Sequence, residues 1–236
     1  MSTLYLVRHG QAHYTADEPP LSDLGAEQAR RLGRHAAARG WQLDALYHGP
    51  RKRQIDTTTH MMRAMREAGV QVPEPVQVDD FDEYHAQAIL RACTPRLAGK
   101  GSEFEHLFTD RLPDDPAAQR RRFNRFFERS IELWLGGELG GEAVEPFLDF
   151  AARVARGMHH VIRREGRGKR VMVVTSAGCI AASMRLAVGL DDATTLKQAS
   201  IIWNTSVTEY RYRDERELTL VGFNGVPHLD DPAHIT

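Results

Sequence analysis

LYLVRHGQ, residues 4–11, runs four apolar or aromatic residues directly into an arginine, a histidine and a glycine. A short continuous apolar run of this kind predicts a buried strand over about residues 3–7. The segment that follows, residues 22–40, has Ser22 or Asp23 as an N-cap, many helix-forming residues and a closing Gly40. The sequence therefore opens as strand, loop and helix, and a histidine stands where the strand ends.

The same alternation continues along the chain. A strand is predicted at about 43–47, followed by a helix over 51–69, and a short strand near 76–78. Helical patterns cover about 82–92, 116–135 and 143–165, and KRVMVVTSAG, residues 169–178, reads as a buried strand that leads into a helix over about 178–189. Residues 200–224 alternate around a polar turn and predict an antiparallel hairpin at a sheet edge. This order predicts an α/β three-layer sandwich, with a mostly parallel sheet covered by helices on both faces.

Composition limits the kind of protein that this chain can be. Its 236 residues, 42% of them apolar, suffice for a single globular domain over 1–236, in which we read the helical block at about 84–150 as a cap inserted over one end of the sheet. Thirty-one basic and 32 acidic side chains nearly cancel, so we expect neither a nucleic acid nor a membrane as partner. With two cysteines and no secretory signal pattern, the chain is predicted to be cytoplasmic.

Charged side chains collect where the predicted strands end. The first strand ends in Arg8 and His9, the second leads to Arg51 and Arg53 at a helix start, and the late strand opens onto TSAG. In such sheets the ligand crevice lies outside the carboxyl ends of the strands. Guanidinium groups match phosphate oxygens, and a neutral imidazole is a nucleophile that can accept a phosphoryl group. These strand ends therefore predict a phosphate site, and no metal or other cofactor is expected because arginines supply the positive charge.

Several segments together resemble the histidine phosphatase superfamily, the phosphoglycerate mutase-like group. They are LVRHGQ, PPLSDLGAEQARRLG, GPRKRQIDT, NTSVTEY and FNGVPHL, and they occur in the order of the family's motifs. The resemblance implies a phosphoric monoester hydrolase that acts on a small-molecule phosphate ester through a phosphohistidine. By position, His9 would be the nucleophile, Arg8 and Arg53 the phosphate ligands, and Glu83 the general acid and base. Gln11, which ends the first motif, is a further candidate for the phosphate pocket.

One motif departs from the family pattern. Where the family usually has V-S-H-G, this chain has Ser176 in the place of the histidine, similar to a branch that reads T-S-G-G. A hydroxyl can donate one hydrogen bond to phosphate but supplies no charge. We therefore expect Ser176 to contact phosphate and the activity to be low. The alternatives are a module that binds phosphate or a phosphorylated ligand with little turnover and, with less support, a mutase. Four histidines are candidates for replacing the missing imidazole: His13, His48, His85 and His228.

Two rival signals also need an explanation. Cys179 to Arg185 fits the C-x5-R spacing of cysteine phosphatases, but the intervening IAASM predicts continuous helix instead of an anion-binding loop. The segment RRRFNRFFERSIELW, residues 120–134, interleaves arginines with aromatic residues, as nucleic-acid-binding segments do. Its apolar residues fall on one helical stripe, which favours an amphipathic helix with solvated arginines. That stripe is Phe123, Phe126, Phe127, Ile131 and Trp134.

Overall fold

The computed structural model describes residues 1–13, 19–107, 115–139 and 144–236. These residues form six strands and seven α-helices. Strands β1 to β6 span, in order, Ser2–Arg8, Ala45–His48, Val76–Gln77, Arg170–Thr175, Val207–Tyr212 and Leu218–Gly225. Helices α1 to α7 span Asp23–Ala38, Lys52–Glu67, Ala86–Leu97, Pro116–Leu135, Phe147–Glu165, Ala177–Val188 and Asp192–Ala199. None of the described helices is long and apolar enough to cross a membrane.

The six strands form one sheet in the order β3-β2-β4-β1-β5-β6. Strands β1 to β4 run parallel, and β5 and β6 add an antiparallel pair at one edge. β1 lies between β4 and β5 and is buried along nearly its whole length, which explains why its sequence is continuously apolar instead of alternating. The predicted fold class is confirmed.

Alternate residues of the central strands point to opposite faces of the sheet. Tyr5 and Val7 pack in a buried apolar cluster with residues of α1 and α2, such as Leu32 and Met61. On the other face, Tyr47 donates a hydrogen bond to Glu165 of α5. Ser183 of α6 and Tyr210 of β5 also share a hydrogen bond on this side, since Tyr210 pairs with Leu4. Helices therefore cover both faces.

The chain divides into two compact units, residues 1–83 with 151–236 and residues 84–150. The first unit contains the whole sheet. The second is helical and has its own aromatic core, in which the ring of Trp134 lies 5.0 Å from Tyr84 and 5.4 Å from Phe147. The second unit is inserted between β3 and β4. That it caps one end of the sheet stays a prediction.

Several predicted boundaries were wrong. The helix expected at 82–92 begins at Ala86, because the preceding residues form a short 3₁₀ turn, Asp79–Phe81, followed by extended chain. The hairpin begins at Val207, not at 200, and helix α7 was not predicted. On α4, Phe126 and Trp134 are buried as expected, but Phe123 is 46% exposed and does not belong to the buried stripe. Residue 143, the expected start of α5, lies outside the described residues.

Candidate active site

His9 directly follows β1, and its position is fixed on two sides. Its backbone N–H donates to the carbonyl oxygen of Thr175 on β4 at 2.8 Å, and its ring Nδ1 lies 2.7 Å from the carbonyl oxygen of Gly10. Because a carbonyl oxygen can only accept, Nδ1 carries the hydrogen in this contact. The other ring nitrogen, Nε2, therefore carries the free lone pair. A neutral imidazole attacks as a nucleophile through this atom.

Two arginines surround this histidine. Arg53, in the first turn of α2, donates from Nε to Nε2 of His9 at 3.0 Å. Arg8, the last residue of β1, donates from its guanidinium to the carbonyl oxygen of Ile202. The pKa of His9 lies well below its usual value. Burial is the largest cause, and the positive charges of Arg53 and then Arg8 add to it. The imidazole is thus neutral at neutral pH.

The backbone after His9 packs closely against α1 and α2. The amide of Gly10 donates to Thr57 Oγ1 at 2.9 Å, and a Cβ on Gly10 would lie only 2.4 Å from the carbonyl oxygen of Gly25. Gln11 is held by two neighbours: its amide donates to Gln28 Oε1 at 2.8 Å, and its own Oε1 accepts from Ser22 Oγ at 2.8 Å. Because a Cβ at position 10 would clash with Gly25, only glycine there permits this close approach of the loop to α1.

The loop before β5 holds the other side of His9, and sequence reasoning missed it. Asn204 donates from Nδ2 to the carbonyl oxygen of His9 at 2.9 Å, and the amide of Thr205 donates to the carbonyl oxygen of Arg8 at 3.0 Å. Thr205 has a φ of 57°, in the left-handed region that a threonine rarely adopts. The strained backbone at Thr205 explains why β5 begins at Val207, although the alternating sequence pattern predicts a longer strand. The only local sign of this loop in the sequence is the polar run NTS, residues 204–206.

The turn between β4 and α6 carries Ser176 and meets Glu83. Ser176 is fully buried, and its Oγ accepts a hydrogen bond from Gln54 Nε2 at 2.8 Å. Glu83 Oε2 accepts from the amide of Gly178, in the first turn of α6, at 2.9 Å. Since the N-terminal end of a helix favours negative charge, this contact suits a carboxylate. The carbonyl oxygen of Thr175, one residue earlier, accepts from the backbone N–H of His9, so the turn that carries Ser176 begins beside the end of β1.

The segment before Glu83 is held by side chains of two elements, α5 and β4. Arg153 of α5 donates to the carbonyl oxygens of Asp80 and Asp82 at 3.1 and 3.0 Å. The hydroxyl of Thr175 donates to the carbonyl oxygen of Phe81 at 3.0 Å. These contacts leave little freedom to the backbone that carries Glu83. All six predicted site residues belong to the first compact unit.

The sequence profile of the histidine phosphatase superfamily, branch 1, matches residues 4–224. The chain belongs to this superfamily. The matched range includes every residue of the cluster around His9 described above.

Solved structures of other proteins share the fold at low sequence identity. YhfR of Bacillus stearothermophilus is 18% identical, with a TM-score of 0.67 over 98% of this chain and 100% of that one. A phosphoserine phosphatase from Entamoeba histolytica, solved with 3-phosphoglyceric acid, is 18% identical, with a TM-score of 0.64 over 97% and 100%. A mycobacterial glucosyl-3-phosphoglycerate phosphatase is 20% identical, with a TM-score of 0.60 over 94% and 98%.

Four histidines were predicted as candidates to replace the imidazole that the family resemblance implies at position 176, and the structure shows where each one lies. His48 ends β2, and its Nδ1 lies 2.7 Å from the carbonyl oxygen of Gly49, the same local arrangement as at His9. His228 is buried and bonds through Nε2 to Thr205 Oγ1 at 2.9 Å. His13 is exposed, and His85 precedes α3 in the second unit. A replacement role for any of them stays a prediction.

Cys179 has a different environment from a phosphatase nucleophile. It is buried inside α6, and its thiol donates to the carbonyl oxygens of Phe81 and Asp82 at 3.4 and 3.1 Å. Burial, with the negative charge of Glu83, raises the pKa of the Cys179 thiol far above its usual value. Residues 179–185 all lie within the helix, so their amides bond along the helix and cannot encircle an anion. The C-x5-R alternative is therefore not supported.

Proposed function

We propose that this member of the histidine phosphatase superfamily hydrolyses phosphate monoesters through a phosphohistidine on His9. The observation that carries this proposal is the hydrogen bond from Nδ1 of His9 to Gly10, at 2.7 Å, on an imidazole whose pKa is lowered. It leaves a neutral ring with the lone pair on Nε2. Such a ring can accept a phosphoryl group without first losing a proton.

The reaction has two steps. Arg8 and Arg53 hold the phosphate, and Arg53 leaves Nε2 of His9 to do so. Glu83 enters the reaction protonated. Nε2 attacks phosphorus, the bond to the ester oxygen breaks, and Glu83 donates its proton to that oxygen as the alcohol departs, which leaves Glu83 as the carboxylate. Glu83 then takes a proton from water, the water oxygen attacks the phosphohistidine, and inorganic phosphate leaves with His9 regenerated.

Ser176 and Gln11 complete the proposed phosphate pocket. Ser176 donates a hydrogen bond to a phosphate oxygen, whereas an imidazole at this position would also add positive charge. We therefore infer a slower reaction than a histidine would support. We also assign the chain to a branch of the superfamily with T-S-x-G at this turn. The substrate class is a small phosphate ester. The named activities of three similar structures support that class: phosphoserine, glucosyl-3-phosphoglycerate and α-ribazole-5′-phosphate phosphatases.

The experiment is a screen of the purified protein against a panel of phosphate esters, followed by brief incubation with a ³²P-labelled substrate. We expect protein-bound label that is stable to base and labile to acid, and that is absent from His9→Ala. Label that survives acid, or that persists in His9→Ala, contradicts the proposed nucleophile.

A second candidate function is a phosphate-binding module with little turnover. The serine at position 176 favours this alternative, because a neutral hydroxyl stabilises the transferring phosphoryl group less than an imidazolium would and so lowers turnover more than it lowers phosphate binding. Calorimetry with inorganic phosphate distinguishes the two. Micromolar binding that requires Arg53, together with no label on His9 for any ester of the panel, would establish the binding module and refute the hydrolase.

A further inference from the structure

Gln54 is a fully buried glutamine in the first turn of α2, beside Arg53. Its amide has partners that fix which end is oxygen and which is nitrogen. The backbone N–H of Arg51, which can only donate, lies 3.0 Å from Oε1, and the carbonyl oxygen of Phe81, which can only accept, lies 3.2 Å from Nε2. The orientation of the amide follows from these partners alone.

The second hydrogen of the same nitrogen points at Ser176. Gln54 Nε2 lies 2.8 Å from Ser176 Oγ, so the amide donates and the hydroxyl oxygen accepts. The hydroxyl hydrogen of Ser176 must therefore point away from Gln54. The hydroxyl oxygen does not cap the helix either, because Ser176 stands at the N-cap of α6 with no side-chain hydrogen bond to that helix.

The surroundings give the amide no room to turn. A Cβ on Gly49 would lie 2.3 Å from Gln54 Oε1 and 2.5 Å from the carbonyl oxygen of Phe81, so the glycine at this position makes space for the contact. Phe81 also accepts from Thr175 Oγ1. Gln54 thus joins the start of α2, the segment that leads to Glu83, and the turn that carries Ser176.

We propose that Gln54 is a positioning residue that directs the hydroxyl hydrogen of Ser176 to the transferred phosphoryl group. The inference rests on the proposed function, because it requires a phosphoryl group at His9. Gln54 itself touches no substrate: both of its amide hydrogens and its oxygen bond to protein. In this arrangement a serine with a fixed donor direction takes one of the roles of the absent imidazole.

The test is a double-mutant cycle on p-nitrophenyl phosphate. Gln54→Met keeps the length of the side chain and removes the amide, and Ser176→Ala removes the hydroxyl. Each single variant should lower kcat about tenfold with KM changed by less than about twofold, since the lost hydrogen bond acts mainly in the transition state. In the Ser176→Ala protein, Gln54→Met should lower kcat by less than about twofold further, because its effect acts through the hydroxyl.

Three controls make the result decisive. Thr195→Val removes a buried helical hydroxyl from α7 and should leave kcat unchanged, because the Thr195 hydroxyl donates to the carbonyl oxygen of Asp191, away from Gln54 and Ser176. Gln54→Glu has the size of glutamine but accepts the serine hydrogen, and should lower kcat at least as much as Ser176→Ala. Thermal unfolding identifies any variant that fails to fold, and the cycle is then read on the other Gln54 variant.

The outcomes separate this inference from the proposed function. If His9→Ala is inactive but the effects of Gln54→Met and Ser176→Ala multiply, the positioning role is refuted and the hydrolase stands. If His9→Ala retains its activity, the proposed function fails. The same cycle measured as orthovanadate affinity by calorimetry does not depend on turnover, and equal losses in both serine backgrounds there also refute the positioning role.

Discussion

Exchanging Ser176 and Gln54 together tests how the pocket works without its second imidazole. Both side chains are fully buried and touch at 2.8 Å. Ser176→His alone adds a ring against the Gln54 amide, and overpacking of this kind destabilises a protein by about 1–3 kcal/mol. Combined with Gln54→Ala, the exchange keeps the number of side-chain heavy atoms unchanged, and volume-conserving changes usually cost less than about 1.5 kcal/mol.

The double variant relieves the overpacking but loses the amide contacts with Arg51 and Phe81, so it should melt below the wild type and above Ser176→His alone. The differences should amount to about 2–4 °C per kcal/mol for a chain of this size. The introduced imidazole supplies a charged donor to the phosphoryl group. If that donor contributes about 1.4–2.7 kcal/mol to transition-state stabilisation, kcat rises about tenfold to a hundredfold. KM should change little, because the interaction forms mainly in the transition state.

The assay pairs steady-state kinetics on p-nitrophenyl phosphate with thermal unfolding for the wild type, both single variants and the double variant. Gln54→Ala alone should lower kcat, which shows that the gain comes from the imidazole. A double variant that is folded but turns over no faster than the wild type refutes the reasoning, and it would show that another group already supplies the missing charge.

Three other expectations follow from charge and packing. Arg53→Gln removes a positive charge that lowers the pKa of His9, the proposed nucleophile, so the acidic limb of the kcat/KM profile should move to higher pH; an unmoved limb contradicts the assignment. Burial lowers the pKa of His228 to about 4, below its usual 6.5, so only the unfolded chain takes up this proton between those values. Stability in urea should thus fall as pH drops from about 6.5 to 4, by up to about 1.4 kcal/mol per pH unit, and His228→Gln should reduce that slope. Gly25→Ala places a Cβ 2.0 Å from the carbonyl oxygen of Gln11 and should lower both stability and kcat, whereas Gly99→Ala, with open space around it, should change neither.

The sequence predicts the parts of this fold that depend on local pattern. β1 and β4 are continuously apolar because both lie inside a parallel sheet, and His9 stands at a strand end that the apolar run itself defines. The loop before β5 was missed because the apolar–polar alternation of the sequence continues through Thr205, although Thr205 adopts a left-handed conformation. Helix α7 was missed because its two adjacent threonines weaken the helical pattern.

The contacts that organise the candidate site could not be predicted in this way. Asn204 binds His9 across 195 residues, and Gln54 binds Ser176 across 122. Gln54 lies at helical spacing from the buried Met61 and Met65 of α2, but a glutamine is most often solvent-exposed, so its residue type gives no sign of the burial. Phe123 shows the reverse case, an aromatic residue on the expected apolar stripe that the packing leaves exposed. Such features depend on which distant segment packs against the helix.

The position of β1 in the sheet has a consequence for how the chain is made. Strand β1 pairs with β4 and β5, whose residues 170–212 leave the ribosome long after it does. At about 5–20 residues per second, β1 waits on the order of 10–40 s for these partners. During that interval its apolar side chains and unpaired backbone groups are open to other strands. Nascent chains should therefore depend on chaperones until β4 and β5 have been synthesised.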